Sequence, residues 1–406
     1  MLFSSDDYRS QGASMSTPYK LYGIPASLYT AKARSYLRKQ KIDFVEYAVS
    51  DPYYQKNIIP QLGRMIMPVL EAPNGEIIQD SADIIRYLEN VHASLSPSLP
   101  KTPLLQAVAH LFELYGGEGL LRPAMHYRWS FDDVNLHYLH SEFACLAPPG
   151  TDDASYQQIF DFSSGLMRKA ALSFGVNENS APLVESSYRE FLDLFSAHLR
   201  QHPYLLGAKP TLGDYALMAP LYAHLYRDPK PGQLMRQHAP LVARWVERMN
   251  APENNWADHC ADQAEFEVDN ELPDTLKSLM HYIAVDFLPE MSAHIQFTNN
   301  WLAERPDLKS GSNGCDKPSQ RFIGNAEFAW RGIKLRTAVL PYRFYLLQNL
   351  QDHFDSAPQT DKALIQNAFK ACGLADLLTL RVTRRVERHN HLEVWGNPLH
   401  SVCTAK

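Results

Sequence analysis

"YGIPASLYTAKARSYLRKQKIDFVEYAVS", residues Tyr22–Ser50, decides the fold of this chain. A short β-like run ends in a turn, a helix follows, and a second extended run closes the stretch. From Thr30 to Lys41, Ala33, Tyr36 and Leu37 recur at helical spacing. Phe44, Val45, Tyr47 and Val49 then favour a strand. The turn carries Ser27, immediately ahead of the helix, and no cysteine occurs before Cys145.

Outward from this unit, "YKLYG" supplies the first strand. "MPVLEAP" and "EIIQ" flank Asn74-Gly75, a two-residue hairpin signal. "DSADIIRYLENVH" opens on cap-type residues and sets Ile84, Ile85, Leu88 and Val91 along a helix. The order β-α-β-(α)-β-β-α over residues 18–92 is that of an α/β unit. Residues 93–103 are rich in Ser and Pro and read as a linker. Beyond them strand signals fade, and Leu104–Tyr115, Ser187–Gln201, Leu212–Tyr226 and Ala239–Asn250 look amphipathic. Residues 104–406 therefore read as an all-α helical domain, with 270–406 a mostly helical extension of it. Within the extension, 272–304 is predicted helical, 305–320 a loop, 325–354 helical around an internal proline, 360–373 helical and 377–398 extended.

The 406-residue chain is 45% hydrophobic and 21% charged, with net charge −6. That balance offers no global basic field for nucleic acid or an anionic membrane. No apolar run approaches the length that crosses a bilayer. Residues 1–17 read as a flexible tail, with aspartates where a secretory signal needs basic and then apolar residues. Met1 and Met15 both stand open as the start. Cys145, Cys260, Cys315, Cys372 and Cys403 are odd in number and far apart. They argue against a disulfide framework or a clustered zinc site and for a reducing, cytoplasmic location.

Four stretches, in this order, resemble the glutathione S-transferase superfamily. "YGIPASLYTAKAR" is similar to the first loop and helix of bacterial, serine-type members, and "MPVL" to the cis-proline step. "DSADIIRYLE" is similar to the acid-serine motif, and "LLGAKPTLGDYALMAPLYAHL" to the capping-box helix. The resemblance covers residues 18–250 and implies a thioredoxin-like N-terminal domain followed by an all-helical one. It assigns no role to the extension.

What the resemblance implies for the site has a physical counterpart at each position. The helix after Ser27 presents unpaired N–H donors and partial positive charge, which favour a thiolate over a thiol. Glutathione would bring the sulfur and Ser27, as catalytic residue, would donate a hydrogen bond to it. Tyr22, Tyr29 and Thr30 are alternative donors, and a plain helix cap is the structural alternative for Ser27. A cis bond at Met67-Pro68 would turn the Met67 backbone outward to pair with an extended peptide; a trans edge-strand proline is the other possibility. Asp80 and Ser81 cap a helix whose N-terminus suits the ligand's α-carboxylate, while Asp80 or Gln79 takes its ammonium. The departures from the common pattern are Leu28, Asp80 and Asp83. Tyr29, His126, Tyr127, Arg128 and Trp129 are expected to wall the second substrate, with interdomain packing as the alternative, and Arg122 or Arg128 to steady an anion. Thr211 and Asp214 form a capping box assigned to folding. Lys32 and Arg34 read as surface charges on the first helix, with the resemblance implying a place near the domain interface as the alternative for Arg34.

The expected activity is addition of glutathione thiolate to a hydrophobic electrophile by a cytoplasmic homodimer. The alternatives are a non-catalytic adaptor, or glutathione-dependent dehalogenation, isomerisation or ether cleavage. No metal is expected: His137, His140 and Glu142 read as a chance cluster. Arg381, Arg384, Arg385 and Arg388 read as a solvated strand face or an ion-paired rim. Trp330, Tyr342, Phe344 and Tyr345 read as core. No phosphate loop or dinucleotide fingerprint is present.

Overall fold

The computed structural model describes residues 17–253 and 272–399. Residues 1–16 of the expected tail, Cys260 and Cys403 lie outside the described residues. Among the described residues no helix is long and apolar enough to cross a membrane.

The N-terminal unit is a four-stranded sheet in the order β2-β1-β3-β4. Its strands are β1 (Tyr19–Gly23), β2 (Phe44–Ala48), β3 (Val69–Glu71) and β4 (Ile77–Gln79). β1 and β2 run parallel across the crossover helix α1 (Leu28–Lys39), and β3 and β4 pair antiparallel beside them. A π-turn at Tyr54–Ile58 and the short α2 (Ile59–Leu62) precede β3; α3 (Ser81–Val91) follows β4. Gly23 ends β1 because a Cβ there would lie 2.4 Å from Cγ2 of Thr30, in the first turn of α1.

Helix α1 is buried on almost every side, between the sheet and the helical half of the chain. Lys32 and Arg34 are therefore not surface charges, since they are 2% and 4% exposed. Lys32 pairs with Glu113 at 2.7 Å and Arg34 with Glu46 at 2.5 Å. Burial alone would raise the Glu113 carboxyl, but Lys32, with His110 beside it, overrides that and holds Glu113 at about 2.

The helical half comprises α4 (Pro103–Leu114), α5 (Leu121–Trp129), α6 (Asp132–Glu142), α7 (Asp153–Ser173) and α8 (Ala181–Leu199). It continues with α9 (Leu212–Ala223), α10 (Pro229–His238) and α11 (Pro240–Asn250). A π-turn at Tyr115–Gly119 joins α4 to α5. At the start of α9 the Asp214 carboxylate accepts from the Thr211 N–H and hydroxyl, the Leu205 N–H and the Trp245 indole. Burial pushes its carboxyl up to about 6 even against those donors. Asp214→Ala strands several buried donors at once and is expected to cost about 3 kcal/mol in denaturant unfolding. A loss of activity at unchanged stability would contradict the folding role.

The extension adds α12 (Asp274–Asp286), α13 (Leu288–Ala303), α14 (Pro341–Ser356), α15 (Gln359–Ala371) and α16 (Ala375–Thr379). It also contains two hairpins, β5 (Asn325–Trp330) with β6 (Ile333–Ala338), and β7 (Arg384–His389) with β8 (Leu392–Pro398). The helix expected over 325–338 is thus a hairpin. Ala326, Phe328 and Trp330 alternate inward, and Arg331-Gly332 takes positive φ at the turn. Pro341 opens α14 rather than interrupting a helix, as its missing N–H permits. The β7–β8 turn falls on Asn390-His391, both at positive φ. Gln348 of α14 fastens this hairpin by bonding both the N–H and the C=O of Val386. Trp395 of β8 is buried and donates to the Asn313 carbonyl.

Candidate functional site

The loop before α1, the start of β3 and the start of α3 meet at one corner of the sheet. Ser27 caps α1, accepting from the Thr30 N–H at 3.3 Å. Met67-Pro68 is cis, and the Tyr54 hydroxyl donates to the Ile66 carbonyl just before it. Ala26 and Met67 share one apolar cluster with Ile24, Tyr54 and Val69. The Asp80 N–H donates to the Pro68 carbonyl at 3.4 Å, which ties the α3 terminus to the proline. Asp80, at φ +85°, caps α3 by accepting from the Ala82 N–H at 2.8 Å. Ser27, Met67, Pro68, Gln79, Asp80 and Ser81 therefore lie around one corner of the sheet.

The residues expected to wall a second substrate are placed differently. His126, Tyr127, Arg128 and Trp129 all lie on α5, buried. His126 Nε2 faces Glu185, Tyr127 stacks on Phe131, and Trp129 packs against Phe143 beneath Arg168. The Arg128 guanidinium is bidentate on Asp228 at 2.7 Å and also donates to the Ala223 and Ala26 carbonyls. Its donors are spent holding the Ser27 loop to the helical half. Arg122 is likewise spent, on Glu290 at 2.6 Å and on the Phe174 carbonyl.

Tyr29 lies two residues beyond Ser27 and donates to Glu118 Oε1 at 2.8 Å. Burial, then the Glu118 charge, raises the phenol well above its ordinary range, so it stays a donor. Glu118, set inward by the π-turn, also accepts from Arg343 Nε at 3.1 Å. Arg343 continues to Glu290 at 2.6 Å. Burial raises the Glu118 carboxyl, while Arg343 opposes that rise.

The remaining neighbours of the corner come from the extension. Tyr342 meets Tyr29 edge-on with ring centroids 6.4 Å apart and donates to Asp80 Oδ1 at 2.9 Å. Tyr345 donates to Asp83 at 2.6 Å. Arg388 of β7 reaches Asp80 at 3.3 Å, Asp83 at 3.2 Å and Gln79 at 3.3 Å. Glu393 of β8 accepts from Arg64 at 2.9 Å and Arg388 at 3.0 Å, with Arg321 at 3.5 Å. Arg64 also bonds the His391 carbonyl at the hairpin turn. Under this roof Gln79, Asp80 and Ser81 are only 4%, 6% and 0% exposed.

Sequence reasoning missed Arg64, Arg321, Tyr342, Arg388 and Glu393 as neighbours of this corner. The clustered arginines and aromatics of the extension were visible, but no local pattern says which face of the chain they meet.

Residues 21–96 match the family model for the glutathione S-transferase N-terminal domain, and residues 163–253 that for the glutathione S-transferase C-terminal domain. No curated protein matches the chain. Among solved structures it is similar to the β-etherase LigF from Sphingobium sp. strain SYK-6, at 19% identity and TM-score 0.42 over 58% of this chain and 96% of that one. It is similar to glutathione transferase GSTFuA3 from Phanerochaete chrysosporium, at 18% identity and TM-score 0.42 over 58% and 98%. A third likeness is a Methylobacterium radiotolerans glutathione S-transferase in complex with glutathione sulfonate, at 19% identity and TM-score 0.34 over 63% and 100%. An α/β unit and a helical unit, matched in that order along one chain, place residues 21–96 and 163–253 in the glutathione S-transferase superfamily.

Proposed function

We propose that the chain binds a glutathione-type thiol at the Ser27 corner and adds its thiolate to an electrophilic carbon. The observation that carries this is Ser27 at the N-terminus of α1, within the same packed corner as the cis Met67-Pro68 step. A thiol seated there meets the first-turn N–H groups and the positive end of α1, which favour the charged sulfur. The Ser27 hydroxyl turns from its cap acceptor role to donate to that sulfur. Met67 offers backbone to the peptide, while Gln79, Asp80 and Ser81 would read the γ-glutamyl end. Tyr29, held by Glu118, stands beside the electrophile. Activity as a cytosolic homodimer belongs to the same proposal; sedimentation of the purified chain counts the subunits.

Ser27→Ala removes one hydrogen bond to a charged atom and is expected to lower kcat/KM for thiol conjugation by roughly 10- to 100-fold at neutral pH. The loss should shrink as pH rises toward the free thiol's own ionisation. Undiminished turnover in Ser27→Ala would move the role to another donor at the corner.

A second proposal, a binding protein without turnover, draws on the Arg388–Asp80 contact, which already spends an acid proposed for the ligand. A panel of electrophiles giving no turnover, alongside normal thiol binding, would favour it.

A further inference from the structure

The α3 terminus has the chemistry of a zwitterion site. Asp80 presents a carboxylate for a cation, and the first turn of α3 with the Ser81 hydroxyl presents donors for an anion. In this chain the cation place is taken. The Arg388 guanidinium lies on Asp80 and Asp83, stacked 5.6 Å over Tyr342 and 5.0 Å over Tyr345. Glu393, five residues on, balances it from the other strand of the hairpin, gripped by Arg64 and Arg321. The donor side is sealed but unspent: the Ser81 Oγ is fully buried and has no hydrogen-bond partner. Nε of Arg64 and Nε of Arg321 are buried without hydrogen-bond partners as well. Such groups carry a cost when left unmade, and together they mark a polar site closed over with its donors idle.

We propose that the β7–β8 hairpin occupies the amino-acid end of the thiol site in cis, with Arg388 standing in for a ligand ammonium on Asp80 and Glu393 neutralising the arginines a ligand carboxylate would otherwise meet. Resting on the thiol site proposed above, this deepens it. The resting protein takes the cysteinyl part of a thiol peptide at the Ser27 corner but is blind to the γ-glutamyl part. Selectivity for glutathione requires the hairpin to leave. The base of the hairpin is fastened, by Gln348 on Val386, by Arg385 on Asp352 of α14 and by the buried Trp395 on Asn313, so the part suited to lift is its turn end, Arg388 to Glu393, which holds the site through side chains alone.

Calorimetry with glutathione and with cysteinylglycine, which lacks the γ-glutamyl group, tests this on the full chain. The wild-type protein should bind the two with affinities within about threefold, a difference of less than one hydrogen bond. Glu393→Gln, isosteric and uncharged, should tighten glutathione about tenfold and leave cysteinylglycine unchanged. Arg388→Gln, which takes the guanidinium off Asp80 Oδ2, should do the same. Hydrogen exchange over residues 384–398 should quicken in both variants, and in the wild type on adding saturating glutathione. A wild-type preference for glutathione of about tenfold or more, or variants whose hairpin loosens with no gain in glutathione affinity, overturns the cis occupation and leaves the thiol corner standing. If neither peptide binds any form, the thiol corner fails and the occupation falls with it.

Discussion

Arg343→Met is expected to destabilise the chain by about 3–5 kcal/mol, the cost of removing one partner from a buried ion network. Arg343 is nearly fully buried on α14 and bridges Glu118 of the π-turn to Glu290 of α13. Glu290 keeps Arg122 in the variant; among the described residues Glu118 keeps the Tyr29 hydroxyl as its one side-chain donor, with Arg321 as a more distant charge. The orphaned Glu118 carboxyl, already raised by burial, would rise further and bind a proton in the folded state. A folded-state value above the unfolded one gives stability that is present at low pH and lost as pH rises through it. The deficit of Arg343→Met relative to wild type should therefore be smallest in acid and largest above neutrality. Urea midpoints at several pH values measure it. A deficit under about 1 kcal/mol at neutral pH would show that the network tolerates its own interruption. Because Arg343 sits next to Tyr342, the same variant should loosen the contact between the extension and Asp80.

Acid is expected to release the β7–β8 hairpin before the rest of the chain unfolds. Burial would raise the Glu393 carboxyl, but Arg321, Arg388 and Arg64 outweigh it and hold it at about 2. Its unfolded value is about 4.3, so the folded value is depressed. The stabilisation is complete above the unfolded value and disappears as pH falls from about 4.3 toward 2. It amounts to about 3 kcal/mol at neutral pH, by 1.36 kcal/mol per unit. Asp83, below Arg388, works in the opposite sense: burial and then the Asp80 charge raise its carboxyl. The informative quantity is thus the difference between wild type and Glu393→Gln, by hydrogen exchange over 384–398 between pH 5 and 2. Wild type should lose its protection across that window, whereas Glu393→Gln should show a lower, flatter profile. Parallel profiles would mean that the arginines do not hold the hairpin through this carboxylate.

Much of the fold was legible in the chain. The sheet strands, the Asn74-Gly75 turn, α1, α3 and the Asp214 cap are short-range matters of alternation, helical spacing and cap chemistry. The 325–338 hairpin was misread because a proline three residues beyond it suggested a broken helix. The deciding signs were the alternation of Ala326, Phe328 and Trp330 and the Arg331-Gly332 turn. Lys32 was misread because a charged side chain carries no local mark of being buried against a carboxylate 81 positions away.

By itself the sequence determined a thioredoxin-like α/β unit, a helical domain behind it, and a serine at the mouth of the first helix. Each follows from residues within a few turns of one another. Only the tertiary structure decided what covers that corner. Asp80 meets Tyr342 across 262 positions, and Arg64 meets Glu393 across 329. A charge and its partner can be that far apart because packing, not chain proximity, brings the extension's arginines onto the α3 terminus, where burial makes pairing obligatory.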